Sequence, residues 1–228
     1  TPKYAHISPI MKNDNGNKRK LSKRKDPEAA VSYYKEEGIP VEVFDKDMNL
    51  LEDTIALVGK ATRQFFSEIS LESHRQGQFF PELDICNGLI VRNKVTNEDY
   101  IIIANYPEVI DRQMCTTIAR MIVCNSKLTI KRMVETADRF GNIKREFKEV
   151  YKDLSIYAET LESKVTQKDP GKIMEVSYKI FAPGIEIETE DQIQIVVGGK
   201  EIPFKLTGYD PLTFRGLTLI EVVSETRR

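Results

Sequence analysis

The segment Lys18-Arg19-Lys20-Leu21-Ser22-Lys23-Arg24-Lys25 places six cations within eight residues. Such a run neutralises phosphates or lies against an acidic partner surface. A solvated tail is the alternative that needs no partner, and the pattern also fits a nuclear-localisation signal, although such runs are common. A second cluster is acidic: Glu186, Glu188, Glu190 and Asp191. Carboxylates hold calcium when a turn folds several oxygens inward. Here they are spread along an extended segment, which reads better as a solvated strand edge or a docking patch for a basic neighbour. Asp45, Asp47 and Asn49 resemble the first half of a calcium loop. The glycine and the downstream glutamate of that loop are missing, so a plain turn is the better reading.

The residues for acid–base or nucleophilic catalysis are sparse. The chain has two histidines, His6 and His74, and no tryptophan. Cys86, Cys115 and Cys124 lack metal-ligand spacing and fit buried thiols in a reducing compartment. Gly198-Gly199 has no phosphate-cradling context and reads as a hairpin turn. No serine sits in a nucleophile elbow. We therefore expect no catalytic residues, no metal site, no cofactor and no enzyme activity. Tyr33-Tyr34 and Phe65-Phe66 lie near Lys35 and Arg63, but core and docking roles suit these aromatics better than base stacking.

The formal net charge is -1, although the basic run alone carries six positive charges. The remainder is acidic on balance. Hydrophobic residues make up 40% and charged residues 30% of 228 residues, the profile of a soluble chain with room for two small domains. No stretch approaches the roughly 18 apolar residues of a membrane helix. No apolar signal core opens the sequence, so secretion by the usual route is not expected.

The elements follow from pattern. Residues 1–26 read as an extended basic arm, with turn-forming Asn13-Asp14-Asn15-Gly16-Asn17 ahead of the cations. Residues 27–40 hold a short helix: Asp26 caps it, Pro27 opens it, Gly38 stops it and Pro40 prevents its return. From Val41 the pattern turns to β. Residues 54–72 are ambiguous, and Gly59 with the β-branched residues favours strands over a helix. Residues 89–91 and 100–104 are strands, Tyr106-Pro107 is a corner, and residues 116–123 form an apolar strand. A hairpin turns at residues 138–142, a loop covers residues 163–172, and strands follow at 173–181, 193–197, 202–206 and 217–223.

Two halves align. The turn at Asp45…Asn49 matches that at Asp138…Asn142. The strands around Leu89, Tyr100 and Thr116 match those around Ile193, Phe204 and Leu217. The expected fold is mainly β: two tandem small antiparallel β-barrels or sandwiches, residues 41–132 and 133–228, the second reading as a duplicate of the first.

Several segments carry a family resemblance. These are Ile90-Val91-Arg92, Asp99-Tyr100-Ile101-Ile102-Ile103, Tyr106-Pro107-Glu108, Val123-Cys124-Asn125 and Thr129-Ile130-Lys131-Arg132. Asp138-Arg139-Phe140-Gly141-Asn142-Ile143 belongs with them, as does the ending Asp191-Gln192-Ile193, Gly199-Lys200, Tyr209-Asp210-Pro211 and Gly216-Leu217-Thr218-Leu219-Ile220. Together they resemble the neck proteins of tailed bacteriophages, the head-closure (stopper) and head–tail connector family. The resemblance implies a structural virion protein located in the neck and assembled in the host cytoplasm. It would form a homo-oligomeric ring between portal and tail, contact portal or adaptor and tail proteins, and help retain packaged double-stranded DNA, with no membrane involved. The contrasting expectation is a nucleic-acid-binding module whose arm, Lys18, Arg19, Lys20, Lys23, Arg24 and Lys25, contacts phosphates.

Overall fold

A computed structural model describes residues 33, 35–62, 69–110, 112–137, 143–168 and 171–224. The basic arm lies outside the described residues, and so does half of the expected helix. Tyr33 and residues 35–37 are helical, and Gly38 is not. Residues 63–68, the middle of the ambiguous stretch, are also outside.

Among the described residues, twelve strands make two closed antiparallel barrels, as expected from the sequence. The first contains β1 (Ile39–Phe44), β2 (Leu50–Lys60), β3 (His74–Phe79), β4 (Ile90–Asn93), β5 (Asp99–Ile110) and β6 (Gln113–Val123). Their order is β1-β2-β3-β6-β5-β4, closed by pairing of β1 with β4. The second contains β7 (Ser126–Ala137), β8 (Ile143–Lys168), β9 (Gly171–Pro183), β10 (Gln192–Val197), β11 (Lys200–Asp210) and β12 (Leu217–Ser224). It is ordered β10-β11-β12-β9-β8-β7 and closed by β10 on β7. Read in the opposite sense, this is the same order as the first barrel, strand for strand. The chain passes between the barrels at Cys124 and Asn125.

Turn chemistry sets the register. The Asp45 carboxylate accepts the backbone N–H groups of Asp47 (2.9 Å) and Asn49 (2.8 Å), and the Asn49 side-chain amide (2.9 Å). Its oxygens are thereby spent on the β1–β2 turn. Gly198 and Gly199 both have positive φ, +59° and +79°, and join Val197 to Lys200, the hairpin the sequence predicts.

Two elements differ from expectation. Tyr106-Pro107 makes no corner; both residues continue β5, with Pro107 opposite Thr117. β4 pairs only with the start of β5, so along Pro107 β5 has β6 as its one described neighbour, where a missing N–H costs no ladder bond. The loop expected over residues 163–172 is instead a ribbon, paired from Glu162↔Ser177 to Lys168↔Gly171. Beyond the reach of β7 and β12, a two-stranded ribbon need not display the alternation that marks a strand packed on a core.

The first core gathers Val41, Val43, Ala56, Phe79, Val91, Tyr100, Ile102 and Met121. The second joins Leu128, Ile130, Leu154, Ile156, Phe181, Ile193 and Ile220 to Ile90, Ile101, Ile103 and Ile122 of the first barrel. β5 is therefore buried on both faces over residues 100–103: Tyr100 and Ile102 point into their own barrel, and Ile101 and Ile103 join the neighbouring core. This is why the run is continuously apolar instead of alternating. Each such isoleucine contributes roughly 1.5–3 kcal/mol of burial.

Candidate nucleic-acid interface

The seam between the barrels fixes which surfaces a ligand spanning both would meet. Asp99, at the start of β5, is its polar centre. Arg92 on β4 donates to it through Nε (2.7 Å) and Nη2 (3.2 Å). Lys127 on β7 donates from the other barrel (2.8 Å), and the Ser155 hydroxyl on β8 donates as well. Burial alone would raise this carboxyl, but the Arg92, Lys127 and Ser155 donors outweigh it and hold Asp99 down to about 2. Asn93 and Tyr100 extend the polar region within the first barrel, the amide of Asn93 donating to the Tyr100 hydroxyl (3.3 Å), which donates to Glu98 (2.8 Å).

A second seam lies between the β3–β4 and β11–β12 loops. The Asn87 side chain donates to the Arg215 carbonyl (3.1 Å). Gly88 and Gly216 bring the two backbones together; a Cβ at Gly88 would lie 2.0 Å from the Gly216 carbonyl oxygen. Both have positive φ, +86° and +76°, so glycine meets two demands at once. Lys46, from the β1–β2 turn, sits over the Tyr151 ring of β8 at 5.5 Å.

The predicted acidic patch is divided by this fold. Asp191 is turned inward, its side chain 1% exposed, and takes Arg132 in a two-point pair at 2.9 and 2.8 Å. It also accepts the Glu188 N–H (2.8 Å). Glu188 pairs with Arg132 at 2.8 Å from the exposed side, and Glu186 lends its backbone carbonyl to the same guanidinium. Glu186 and Glu190 are exposed. Asp191 and Glu188 thus share a cation of their own chain. Of the predicted aromatics, Tyr33 is half-buried, and Tyr34, Phe65 and Phe66 lie outside the described residues, as do Lys18, Arg19, Lys20, Lys23, Arg24 and Lys25.

The barrel surface also presents groups the sequence reading missed. Tyr106 of β5 is 40% exposed, and the Arg120 guanidinium of β6 lies over its ring at 5.6 Å. Gln76 of β3 stands opposite Arg120 on its other side. Exposed cations on the second barrel include Lys148, Lys200 and Lys205. Among the described residues, no group of histidine, cysteine, aspartate and glutamate is placed to hold a metal ion. No helix among them is long and apolar enough to cross a membrane.

No family model matches the chain, and no solved structure matches it. Curated relatives do. A glutamate–tRNA ligase of Clostridium beijerinckii is 63% identical over 54 residues, 23% of this chain and 10% of that protein. One of Clostridium perfringens is 48% identical over 67 residues, 29% of this chain and 11% of that protein. One of Acetivibrio thermocellus is 51% identical over 51 residues, 22% of this chain and 9% of that protein. The matched part of the chain spans about a tenth of the length of these relatives.

These matches overturn the resemblance to phage neck proteins. With it fall the ring between portal and tail, the portal, adaptor and tail partners, the retention of packaged DNA and the virion location. The cause is physical. The resemblance rested on strand and turn patterns, and small barrels of unrelated function share those patterns because closure and turn geometry demand them.

Proposed function

We propose that this chain binds tRNA as part of a glutamate–tRNA ligase or a close derivative of one. The observation that carries the reading is the 63% identity over 54 residues to a protein of that name. The contrasting expectation from the sequence, a nucleic-acid-binding module with a basic arm, agrees with it. Two closed barrels packed wall against wall offer a wide outer surface, and six cations in residues 18–25 supply attraction to phosphates that carries no sequence preference. In this reading the chain contributes affinity and positioning and does not itself ligate glutamate to tRNA.

The test is a salt titration of tRNA affinity with the intact chain and with a variant whose six arm cations are replaced by glutamine. We expect the variant to bind more weakly, and its logarithmic salt slope to shrink by several units, at roughly 0.7 to 0.9 for each phosphate that the arm no longer neutralises. Identical slopes would remove the arm from the interface. Absence of tRNA binding by the intact chain would overturn the reading altogether. Charging of tRNA with glutamate by the chain alone would contradict its non-catalytic part.

A further inference from the structure

We infer that Tyr106, Arg120 and Gln76 form a stacking platform for one unpaired RNA base on the wall of the first barrel. The inference rests on the tRNA reading above and names a contact surface for it. The three residues lie on neighbouring strands β5, β6 and β3: Arg120 is in register with Gln76, and Tyr106, opposite Ile118, is its diagonal neighbour. Arg120 pairs across the sheet with Ala104 on one side and with Gln76 on the other. Its neighbours along β6, Ala119 and Met121, are fully buried in the first core, so Arg120 is on the outward face. The register shift between Ile102 and Ala104 interrupts the alternation of β5 just ahead of Tyr106. Bulges of this kind re-aim side chains near binding sites.

The chemistry suits a base better than a phosphate. A tyrosine ring held under a guanidinium presents a fixed aromatic surface, and single-stranded nucleic acid is bound by stacking on such surfaces. The Gln76 amide both donates and accepts, so it can address a base edge. Small Ala104 leaves the approach low. Glu108, two residues beyond Tyr106, accepts a hydrogen bond from the Thr116 hydroxyl (3.0 Å). A carboxylate two residues along the same strand disfavours a phosphate and tolerates a neutral base. Proteins read RNA sequence chiefly in loops and single strands whose bases can be splayed onto such platforms.

The experiment uses the intact chain, bulk tRNA and a fully paired RNA duplex. Tyr106→Ala is expected to weaken tRNA binding by about 5- to 100-fold, the range for losing one stacked base. Tyr106→Phe keeps the ring and should retain affinity, while Tyr106→Leu keeps only the bulk and should lose it. Duplex affinity should not change. The chain contains no tryptophan, so Tyr106→Trp introduces a single emitter, and its fluorescence should be quenched as tRNA binds. Thermal melts of each variant confirm that it is folded; an unfolded Tyr106→Ala leaves the Phe, Leu and Trp variants to decide. Wild-type binding with no loss in folded Tyr106→Ala or Tyr106→Leu, or with no quenching in Tyr106→Trp, would overturn the platform and leave the tRNA reading intact. Failure of the wild-type chain to bind tRNA would overturn both.

Discussion

Asp99 and Lys127 belong to different barrels, and their side chains meet at 2.8 Å. The carboxylate is 8% exposed and also serves Arg92 of its own barrel. A buried charge of this kind is tolerable only while its donors are in place. The pair therefore ties the relative position of the barrels to the protonation and identity of one residue.

Asp99→Asn should be destabilising by about 2–4 kcal/mol, since it leaves Arg92 and Lys127 facing a neutral amide. Lys127→Met removes a more exposed partner and should cost less. Urea unfolding of the three proteins gives the comparison, with the midpoint falling most in Asp99→Asn.

Acid should weaken the same seam. Asp99 titrates near 2 in the folded chain, below its ordinary value of 3.8. A depressed carboxylate contributes stability above its unfolded value and loses it as pH falls toward its folded value. The contribution, about 1–2 kcal/mol after discounting for solvent around its partners, is present above about pH 4 and lost between pH 4 and 2. Stability measured against pH should fall less steeply in Asp99→Asn over that window.

Glycine substitutions should separate the seam from an ordinary turn. Gly88→Ala would set a methyl 2.0 Å from the Gly216 carbonyl, so a loop must move. Gly198→Ala also meets positive φ but has nothing within 4 Å. We expect a loss of about 1 kcal/mol for Gly198→Ala from backbone conformation alone and clearly more for Gly88→Ala. Paired thermal melts provide the readout.

Arg132→Met should leave Asp191 buried without its two-point partner and cost about 3 kcal/mol. Glu188→Ala touches only the exposed half of the same guanidinium and should cost under about 1 kcal/mol. Adding Asp191→Asn to Arg132→Met should restore part of the stability, which a double-mutant cycle would reveal.

Strand patterning and turn chemistry made the barrels legible. Tyr100 to Ile103, Ile193 to Val197 and Gly198-Gly199 state their conformations locally. The shared strand order also places β4, β5 and β6 opposite β10, β11 and β12, the strands that line up when the two halves are compared. The seam was not legible, because Asp99 meets Lys127 and Ser155 across 28 and 56 residues. A lone aspartate ahead of a strand carries no mark of such partners. Asp191 looked like one acid among four until Arg132 was brought beside it from 59 residues away. Tyr106 and Arg120 were hidden differently: the proline after Tyr106 suggested a corner, which would have removed the sheet surface they share. The basic run stood out, and its charge suggested phosphate binding without indicating whose phosphates.

The most direct measurement is the equilibrium affinity of the intact chain for bulk tRNA and for double-stranded DNA of equal phosphate number, at the same near-physiological salt. The account predicts tighter binding of tRNA, by at least about tenfold, because charge attraction is common to both ligands and base stacking favours the one with unpaired loops. Equal affinity, or preference for the duplex, would contradict it.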